Sequence, residues 1–488
     1  MNIAGRLTGF GVSSAMAMAL VIASAPAVAA DPPARPNIVL AIADDWGWPH
    51  ASAYGDAVVQ TPTFDRLARE GVLFAHSFVS SPSCTPSRGA IITGQQFYRL
   101  GAGGNLHCEW PAGKFAEYPQ LLAEAGYHVG TYRKSWGPGR GNPAGQKYRS
   151  VDDFFAARAA GQPFCFWFGS TDPHRPYEHH SGEKAGLDLA KVHLYPQFPD
   201  AAIVRGDVAD YYLEIQRFDR EVGELLAKLA AMGELDNTLV VMTSDHGMPF
   251  PRGKTNLYDC GVHVPLAMRW PAKVPGGRTV TDFVSHTDLA PTFLAVAGLE
   301  VPAQMTGRSL LTILESDKSG RVDPARDHVL VGRERHVQAQ EAPESGGYPM
   351  RAIRSDDFLY IRNFKPERWP SGTPDPSKAF KPDAWLADCD NGPTKRYLYD
   401  HRDEPGVREQ YELCFGKRPA EELYDLRTDS DQMKNVAGAA AYAEVQARLS
   451  AQLESELRAT DDPRIDGGGD AFDKFPYYGG AGGQWSQR

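Results

Sequence analysis

Four apolar runs in the first half of the chain have the length and continuity of strands that are covered on both faces. They are residues 36–43, 127–132, 163–169 and 238–243. Stretches in which apolar residues recur at helical spacing lie between these runs, at residues 61–71, 118–124 and 207–232. This alternation predicts an α/β fold, in which a large, mainly parallel or mixed sheet is covered by helices on both faces.

Beyond about residue 325 the pattern changes to short strands and one helix. The strands are predicted at residues 350–354, 358–362 and 422–426, and the helix at residues 440–457. They indicate a smaller antiparallel sheet with one helix. We therefore place a catalytic domain at residues 31–325 and a C-terminal α+β subdomain at residues 326–460, and we expect the Gly-rich residues 461–488 to be flexible.

Polar residues capable of chemistry follow each of the four long strands. They are Asp44 and Asp45, Lys134, His174, and Asp245 and His246. Ligands bind beyond the carboxyl ends of parallel strands, so these side chains are expected to form one site. Two adjacent carboxylates repel each other unless a cation lies between them, and Asp44-Asp45 therefore indicates a hard metal ion, with a solvated turn as the alternative.

A second candidate stretch occupies residues 81–94. An apolar run leads into a turn of Ser and Pro residues, and the apolar residues after it predict a helix that begins near Cys84. Arg88 follows one helical turn later, on the same face. A reactive side chain beside a fixed cation suits an anionic substrate, whereas the alternative is a buried structural cysteine next to a surface arginine.

Charge and composition limit the classes of function. The 488 residues carry a formal net charge of −10, which does not suit a general nucleic-acid binder. Residues 1–30 have an early Arg6, an apolar stretch and small residues before Asp31, which is the pattern of a cleaved secretory signal. A retained membrane anchor is the alternative. No later stretch is long enough for a membrane span, so we expect a periplasmic or secreted protein without stable membrane insertion.

The cysteines have none of the spacings typical of zinc sites. If Cys84 is the reactive side chain, five of the six cysteines remain. Cys389 and Cys414 lie together in the C-terminal part and could form a disulfide in an exported protein. We interpret the other three as single buried thiols.

The residues Cys84-x-Pro86-Ser87-Arg88, an apolar stretch and Thr93-Gly94 resemble the signature of the type I sulfatases, members of the alkaline phosphatase superfamily. The resemblance implies an alkaline phosphatase-like fold. It also implies that a formylglycine-generating maturation enzyme oxidises Cys84 to formylglycine, also called 3-oxoalanine. The hydrated aldehyde of that residue would be the nucleophile.

The resemblance also implies a set of metal ligands: Asp44, Asp45, Asp245, His246 and the modified Cys84. Ca²⁺ is the expected ion, although an imidazole nitrogen also admits Mn²⁺ or Zn²⁺. Most type I sulfatases carry Asn or Gln in place of His246. Asp-His-Gly is similar to the sequence of choline sulfatases and phosphonate monoester hydrolases.

Further catalytic roles follow from the same resemblance. Arg88 would hold the formylglycine in place, and Lys134, His174 and Lys254 would bind sulfate oxygens and protonate the leaving group. One position departs from the family pattern, because Trp136 stands where the family has a histidine thought to assist sulfate release. Either His107 or water could take that role.

The expected substrate is a sulfated saccharide. Residues 243–258 and 172–175 resemble the heparan N-sulfatase (sulfamidase) branch, which leaves N-sulfates and O-sulfates as alternatives. The candidate sugar contacts are Arg175 and His107, and with them His179, His180, Trp46 and Trp48. Two other functions remain open: a phosphonate monoester or phosphodiester hydrolase, which His246 favours, and a non-catalytic binder of sulfated glycans.

Overall fold

The structure is a computed structural model that describes residues 35–480 and, before them, Gly11 alone. The predicted signal sequence, residues 1–30, otherwise lies outside the described residues. From Arg35 onward the chain forms one compact unit. In the part of the chain that the structure describes, no helix combines the length and the apolar character needed to cross a bilayer.

The strands of the described residues belong to three sheets. In chain order they are β1 (Asn37–Ala43), β2 (Val72–Phe78), β3 (Cys108–Glu109), β4 (His128–Arg133), β5 (Gly139–Arg140), β6 (Lys147–Tyr148), β7 (Phe164–Gly169), β8 (Thr238–Ser244), β9 (Leu266–Arg269), β10 (Arg278–Ser285), β11 (His328–Arg333), β12 (Met350–Ser355), β13 (Phe358–Asn363) and β14 (Glu421–Asp425).

The helices lie between and after these strands. In chain order they are α1 (Pro62–Glu70), α2 (Cys84–Thr93), α3 (Tyr118–Glu124), α4 (Val151–Ala157), α5 (Ser181–Lys184), α6 (Ala202–Ala231), α7 (Asp259–Val262), α8 (Leu289–Val296), α9 (Leu311–Glu315), α10 (Pro393–Asp400), α11 (Arg408–Phe415), α12 (Ala443–Ala459) and α13 (Ala471–Lys474).

The main sheet has eight strands in the order β10-β2-β9-β8-β1-β7-β4-β6. All neighbouring pairs are parallel except those made by β9, which is antiparallel to β2 and β8. Every residue of β1 is buried, because alternate side chains enter two separate cores. Val39 and Ala41 pack on the face covered by α6, while Leu40 and Ile42 pack on the face covered by α2 and α8. The predicted mixed, mainly parallel sheet between helices is confirmed.

The smaller sheet is antiparallel, in the order β11-β12-β13-β14. Helix α12 covers one of its faces, because Leu449, Leu453 and Leu457 recur every four residues and are fully or almost fully buried. They pack against side chains of the sheet such as Ile353 and Tyr360. The predicted C-terminal antiparallel sheet with one helix is therefore confirmed.

The expectation of a flexible tail is wrong for residues 461–480. Asp462 is fully buried, and its Oδ2 accepts from Arg351 Nε over 2.6 Å. Phe472, on α13, is only 1% exposed and packs in the core beneath the smaller sheet. Glycine content alone does not make a segment flexible when it also carries a buried ion pair and an aromatic anchor. Residues 481–488 lie outside the described range.

The predicted disulfide between Cys389 and Cys414 is not formed. Both residues are free, buried thiols that pack in a small apolar cluster with Leu398 and Phe415. The other described cysteines are also free. Closeness in sequence and an exported context therefore gave a wrong prediction, because these two side chains serve as small apolar core residues.

We predict that Asp462→Ala lowers the free energy of unfolding by about 3–5 kcal/mol, because it leaves the buried Arg351 guanidinium short of a partner. The matched control is Asp466→Ala, which removes an exposed ion pair with Arg458 and should cost about 0–1 kcal/mol. Urea unfolding followed by tryptophan fluorescence measures both. Equal losses in the two variants would contradict the structural role of the tail.

Candidate active site

Four neighbouring parallel strands bring their carboxyl ends to one edge of the main sheet. They are β8, β1, β7 and β4, side by side in this order. Ala43 of β1 is in register with Ser244 of β8, so the next residues, Asp44 and Asp245, lie beside each other. The structure thus gathers the polar residues that follow these strands into one cluster, where ligands of parallel sheets bind.

Three carboxylates form the centre of this cluster. Asp44, Asp45 and Asp245 are at most 2% exposed. Asp45 has a left-handed backbone with φ of +79°, a conformation that costs most residues about 1–3 kcal/mol. Its N–H donates to Asp245 Oδ1 over 3.0 Å, which helps to hold that conformation. Carboxylates so close together and away from water repel one another, so the cluster depends on cations.

Arg88 neutralises two of the carboxylates from the middle of α2. It is fully buried, its Nε donates to Asp245 Oδ2 over 2.8 Å, and its Nη2 lies 3.5 Å from Asp44 Oδ1. Its Nη1 donates to the carbonyl oxygen of Ser135 over 2.9 Å. Arg88 therefore joins α2 to the loops that follow three different strands.

Two lysines neutralise the open side of the cluster. Lys134 Nζ lies 2.5 Å from Asp44 Oδ2, and Lys254 Nζ lies 2.7 Å from Asp45 Oδ2. Gly169, at the end of β7, allows Lys134 to reach this place, since a Cβ there would lie 1.5 Å from the Lys134 carbonyl oxygen. Burial lowers the pKa of Lys254, but Asp390 and Asp45 raise it well above its usual value overall. The ammonium group therefore stays charged.

Cys84 is the first residue of α2 and is 3% exposed. Its Sγ lies 3.4 Å from Lys134 Nζ and 3.4 Å from His246 Nε2. Burial raises the pKa of the Cys84 thiol well above its usual range, although the charge of Lys134 acts in the opposite direction. A thiol that stays protonated is a poor nucleophile. Residue 84 is therefore central in position but unsuited to react as plain cysteine.

The residues of the cluster fit a metal ion. Asp45 Oδ1 is buried without a hydrogen-bond partner and lies 3.1 Å from His246 Nε2. His246 Nδ1 lies 3.2 Å from the carbonyl oxygen of Gly247. Because a carbonyl oxygen can only accept a hydrogen bond, Nδ1 carries the proton and Nε2 does not. A lone pair on Nε2 would then face a carboxylate oxygen, and a cation between the two atoms would satisfy both. Asp44, Asp45, Cys84 and His246 each offer a ligand atom within 4.8 Å of the others.

Asp245, the fifth predicted ligand, lies at the edge of this group. Its Oδ2 is 3.8 Å from His246 Nε2, and its two oxygens accept from Asp45 N–H and Arg88 Nε. The donor set combines several carboxylate oxygens, which favour Ca²⁺, with one imidazole nitrogen, which Mn²⁺ and Zn²⁺ accept more readily.

A cavity of about 770 Å³ lies over Cys84. Lys134, His174, Lys254 and His107 also line it. The Lys134 and His174 side chains are 18% and 34% exposed, so these two groups can meet a ligand in the cavity. The structure thus places the predicted nucleophile, both lysines and both histidines around one space.

Arg175 does not face this cavity. Its guanidinium makes two hydrogen bonds to the carboxylate of Asp207, over 2.7 and 2.8 Å, and lies on the ring of Phe250 at 4.5 Å. That Arg175 binds substrate therefore stays a prediction: its side chain ties the segment that carries His174 to α6 and lines a second cavity of about 1000 Å³, together with His179.

The two tryptophans named as candidate sugar contacts pack within the fold. Trp46 is fully buried in the core, and Trp48 stacks on His263 with ring centroids 4.4 Å apart. His179 and His180 do not line the cavity over Cys84. The tryptophans that follow the Asp44-Asp45 pair therefore hold the end of β1 in place and do not line this cavity either.

Two residues that no sequence pattern marked also line the cavity, Asp390 and His336. Asp390 Oδ2 lies 2.7 Å from Lys254 Nζ. Burial raises the pKa of Asp390, but Lys254 and His174 lower it overall, so the carboxylate is charged. His336 Nδ1 lies 2.8 Å from Ser83 Oγ. Both residues belong to irregular segments, where neither strand nor helix periodicity indicates which side chains meet.

Comparison with known proteins agrees with this geometry. The family model named Sulfatase matches residues 36–299. An ulvan-active sulfatase of Formosa agariphila is 28% identical over an alignment of 444 positions, which covers 88% of this chain and 81% of that protein. The human N-sulphoglucosamine sulphohydrolase is 28% identical over an alignment of 500 positions, which covers 88% of this chain and 92% of that protein.

Solved structures share the fold. One is a complex with its substrate D-glucosamine-2-N,6-O-disulfate, which has a TM-score of 0.65 and 21% identity and covers 88% of this chain and 99% of its own. Another is the phosphonate monoester hydrolase of Agrobacterium radiobacter, which has a TM-score of 0.62 and 19% identity and covers 87% of this chain and 96% of its own. At these identities the likeness concerns the fold.

We predict that His246→Asn weakens the binding of Zn²⁺ and Mn²⁺ at least about tenfold relative to Ca²⁺, because it replaces the one nitrogen ligand by an oxygen. Asp45→Asn, which removes a shared carboxylate, should weaken all three ions. Isothermal titration calorimetry on chelator-treated protein gives the affinities. An unchanged ratio of Zn²⁺ to Ca²⁺ affinity in His246→Asn would show that His246 is not a ligand.

Proposed function

Because the chain belongs to the sulfatase family and is therefore a sulfuric ester hydrolase of the alkaline phosphatase superfamily, we propose that it removes sulfate from a carbohydrate through a formylglycine made from Cys84. The position of Cys84 carries this proposal. Its Sγ lies within 3.4 Å of both Lys134 Nζ and His246 Nε2 at the head of a helix, yet burial raises the pKa of its thiol.

Conversion of Cys84 resolves this conflict between position and reactivity. A maturation enzyme would carry out a two-electron oxidation of the side chain with an external oxidant, in which sulfur leaves as sulfide and an aldehyde oxygen takes its place. Hydration of the aldehyde gives two hydroxyl groups on one carbon. A thiol would instead form a thiosulfate-like adduct without an easy exit.

The fixed charges of the cluster suit a bound sulfate group. Lys134 and Lys254 carry ammonium groups at the cavity wall, and the charge of each raises the affinity for sulfate oxygens. A divalent cation held by Asp44, Asp45, Asp245, His246 and residue 84, with Ca²⁺ the expected ion, would lower the repulsion between sulfate and an oxygen nucleophile.

His174 is placed to act on the leaving group. Its Nδ1 lies 2.7 Å from the Arg175 carbonyl oxygen, which fixes a proton there, and its Nε2 side faces Asp45 Oδ2 at 3.9 Å and the cavity. One hydroxyl of residue 84 attacks sulfur and gives its proton to the neighbouring carboxylate of Asp44, which lies 3.8 Å from Cys84 Sγ. The bond from sulfur to the sugar oxygen or nitrogen breaks, and protonated His174 donates its Nε2 proton to that atom.

Several observations support a sulfated saccharide as the substrate. The names of the relatives refer to ulvan and to N-sulphoglucosamine, and the substrate in one structural neighbour carries both an N-sulfate and an O-sulfate. The pattern of residues 1–30 supports export to the periplasm or the medium, where such polymers occur. A phosphonate monoester or phosphodiester hydrolase is the second candidate, which the imidazole of His246 favours.

The first experiment measures sulfate release from glucosamine N-sulfate and from glucosamine 6-O-sulfate, with Ca²⁺-loaded protein whose formylglycine is confirmed by peptide mass. We expect multiple turnovers on at least one of them, and only background release by Cys84→Ser expressed in a host that matures only cysteine. Wild-type rates in that variant would refute the formylglycine nucleophile. Faster turnover of a phosphonate monoester than of either sulfate would favour the second candidate.

We predict that His174→Ala slows hydrolysis of the sugar sulfate by about 10²–10⁴-fold, because the sugar oxygen or nitrogen leaves only with a proton. Hydrolysis of 4-nitrophenyl sulfate should slow much less, since nitrophenolate leaves without one. His107→Ala, which alters the other predicted histidine of the cavity, should affect both substrates alike. Equal losses on both substrates in His174→Ala would show that His174 is not the acid.

A further inference from the structure

We propose that His336 is the base that releases sulfate from residue 84, an inference that rests on the proposed function. The family's histidine for this step is replaced by Trp136, whose indole N–H can donate but cannot accept a proton. The release step needs an acceptor for one proton, because the second hydroxyl of residue 84 must lose its proton when sulfate departs. His336 lines the same cavity as Cys84 and is hydrogen-bonded to Ser83, the residue before the nucleophile.

Ser83 shows how His336 is held. It is the N-cap residue of α2, with an extended backbone, yet its hydroxyl makes no capping bond to the helix. The hydroxyl lies instead 2.8 Å from His336 Nδ1. A serine cap ordinarily contributes about 1 kcal/mol to a helix. The residue next to Cys84 thus orients an imidazole rather than stabilising its own helix.

The surroundings of His336 keep its ring neutral. The residue is 6% exposed and lines the cavity together with Cys84 and Lys254. Burial lowers the pKa of His336 well below its usual value, and the charge of Lys254 lowers it further. In the tautomer whose Nδ1–H donates to Ser83 Oγ, the neutral ring presents a lone pair at Nε2. The negative charge of a sulfate group bound nearby would raise the pKa of the imidazole and so strengthen it as a proton acceptor.

The other two histidines of the cavity are less suited. His174 lies next to the charged carboxylates of Asp45 and Asp390 and is placed to give a proton to the leaving group. His107 packs edge-on against the ring of Tyr477, with ring centroids 5.3 Å apart. Neither is hydrogen-bonded to a residue adjacent to Cys84. Among the histidines that line the described cavity, His336 alone combines a neutral ring with that anchor.

The step balances as follows. After transfer, the side-chain carbon of residue 84 bears one hydroxyl and one O-sulfate. His336 Nε2 takes the hydroxyl proton, and the electrons of the O–H bond form the C=O double bond. The bond between carbon and the sulfate oxygen breaks, and its electron pair leaves with sulfate. The aldehyde is restored, and His336 passes its extra proton to water.

The test separates the first turnover from the later ones. Matured wild type and His336→Gln are mixed with excess 4-nitrophenyl sulfate, and nitrophenolate is followed by stopped flow. We expect His336→Gln to release about one equivalent of nitrophenolate per active site at the wild-type rate and then to turn over about 10²–10⁴-fold more slowly. Peptide mass of the quenched sample should show residue 84 carrying one added SO₃ group.

Two further variants distinguish a base from a structural role. Ser83→Ala, which removes the anchor but keeps the imidazole, should give the same adduct at lower occupancy and a smaller loss. Ser83→Ala also provides the test if His336→Gln does not fold. Its formylglycine content is measured first, because Ser83 directly precedes the residue that the maturation enzyme must oxidise. His107→Gln, a matched substitution across the cavity, should change both phases together and give no adduct.

The outcomes separate this proposal from the function on which it rests. If His336→Gln slows the first turnover and the steady state equally, without an adduct, His336 binds substrate or supports the site and the proposal is overturned. Unchanged kinetics in that variant overturn it as well. If instead the matured wild type releases sulfate from no sulfate ester, the proposed function itself fails.

Discussion

The neutralisation of three buried carboxylates at one edge of the main sheet is the constraint on which the structure depends. Asp44, Asp45 and Asp245 are almost fully removed from water, and an uncompensated buried charge costs several kcal/mol. The compensating cations come from α2, from the loop after β4 and from the loop after β8. Each loop around the site is therefore fixed by an ion pair, so the charges are in place before any substrate arrives.

This constraint also explains why an acidic protein has a site for anions. The formal net charge of the chain is −10, and its surface as a whole does not attract sulfate. Within the cavity, however, Lys134 is the more exposed partner of its ion pair with Asp44. A ligand beside Lys134 therefore meets a positive charge at short range and away from bulk water.

The sequence alone predicted the features that follow from the local pattern of apolar residues and from the rule that ligands bind at the carboxyl ends of parallel strands. Continuous apolar runs located β1, β7 and β8, and the rule for parallel strands brought the residues after them together. The direction of the Arg175 side chain could not be predicted, because neighbouring residues in an irregular segment face different ways: Arg175 pairs with Asp207, while His174 faces the cavity over Cys84. The tail was misjudged because composition does not reveal that Asp462 is the partner of Arg351, 111 residues away.

The two site residues that the sequence analysis missed, His336 and Asp390, both lie in irregular segments of the C-terminal half of the chain. The family model ends at residue 299, and the predicted nucleophile, metal ligands and both lysines lie before that point. Among the residues that line the cavity, His336, Asp390 and Tyr477 lie after that point. The C-terminal part of the chain therefore supplies one wall of the cavity, whereas most of its other lining residues belong to the matched family segment. Family membership thus accounts for the reaction type, and the C-terminal wall is the part of the cavity that the matched segment does not supply.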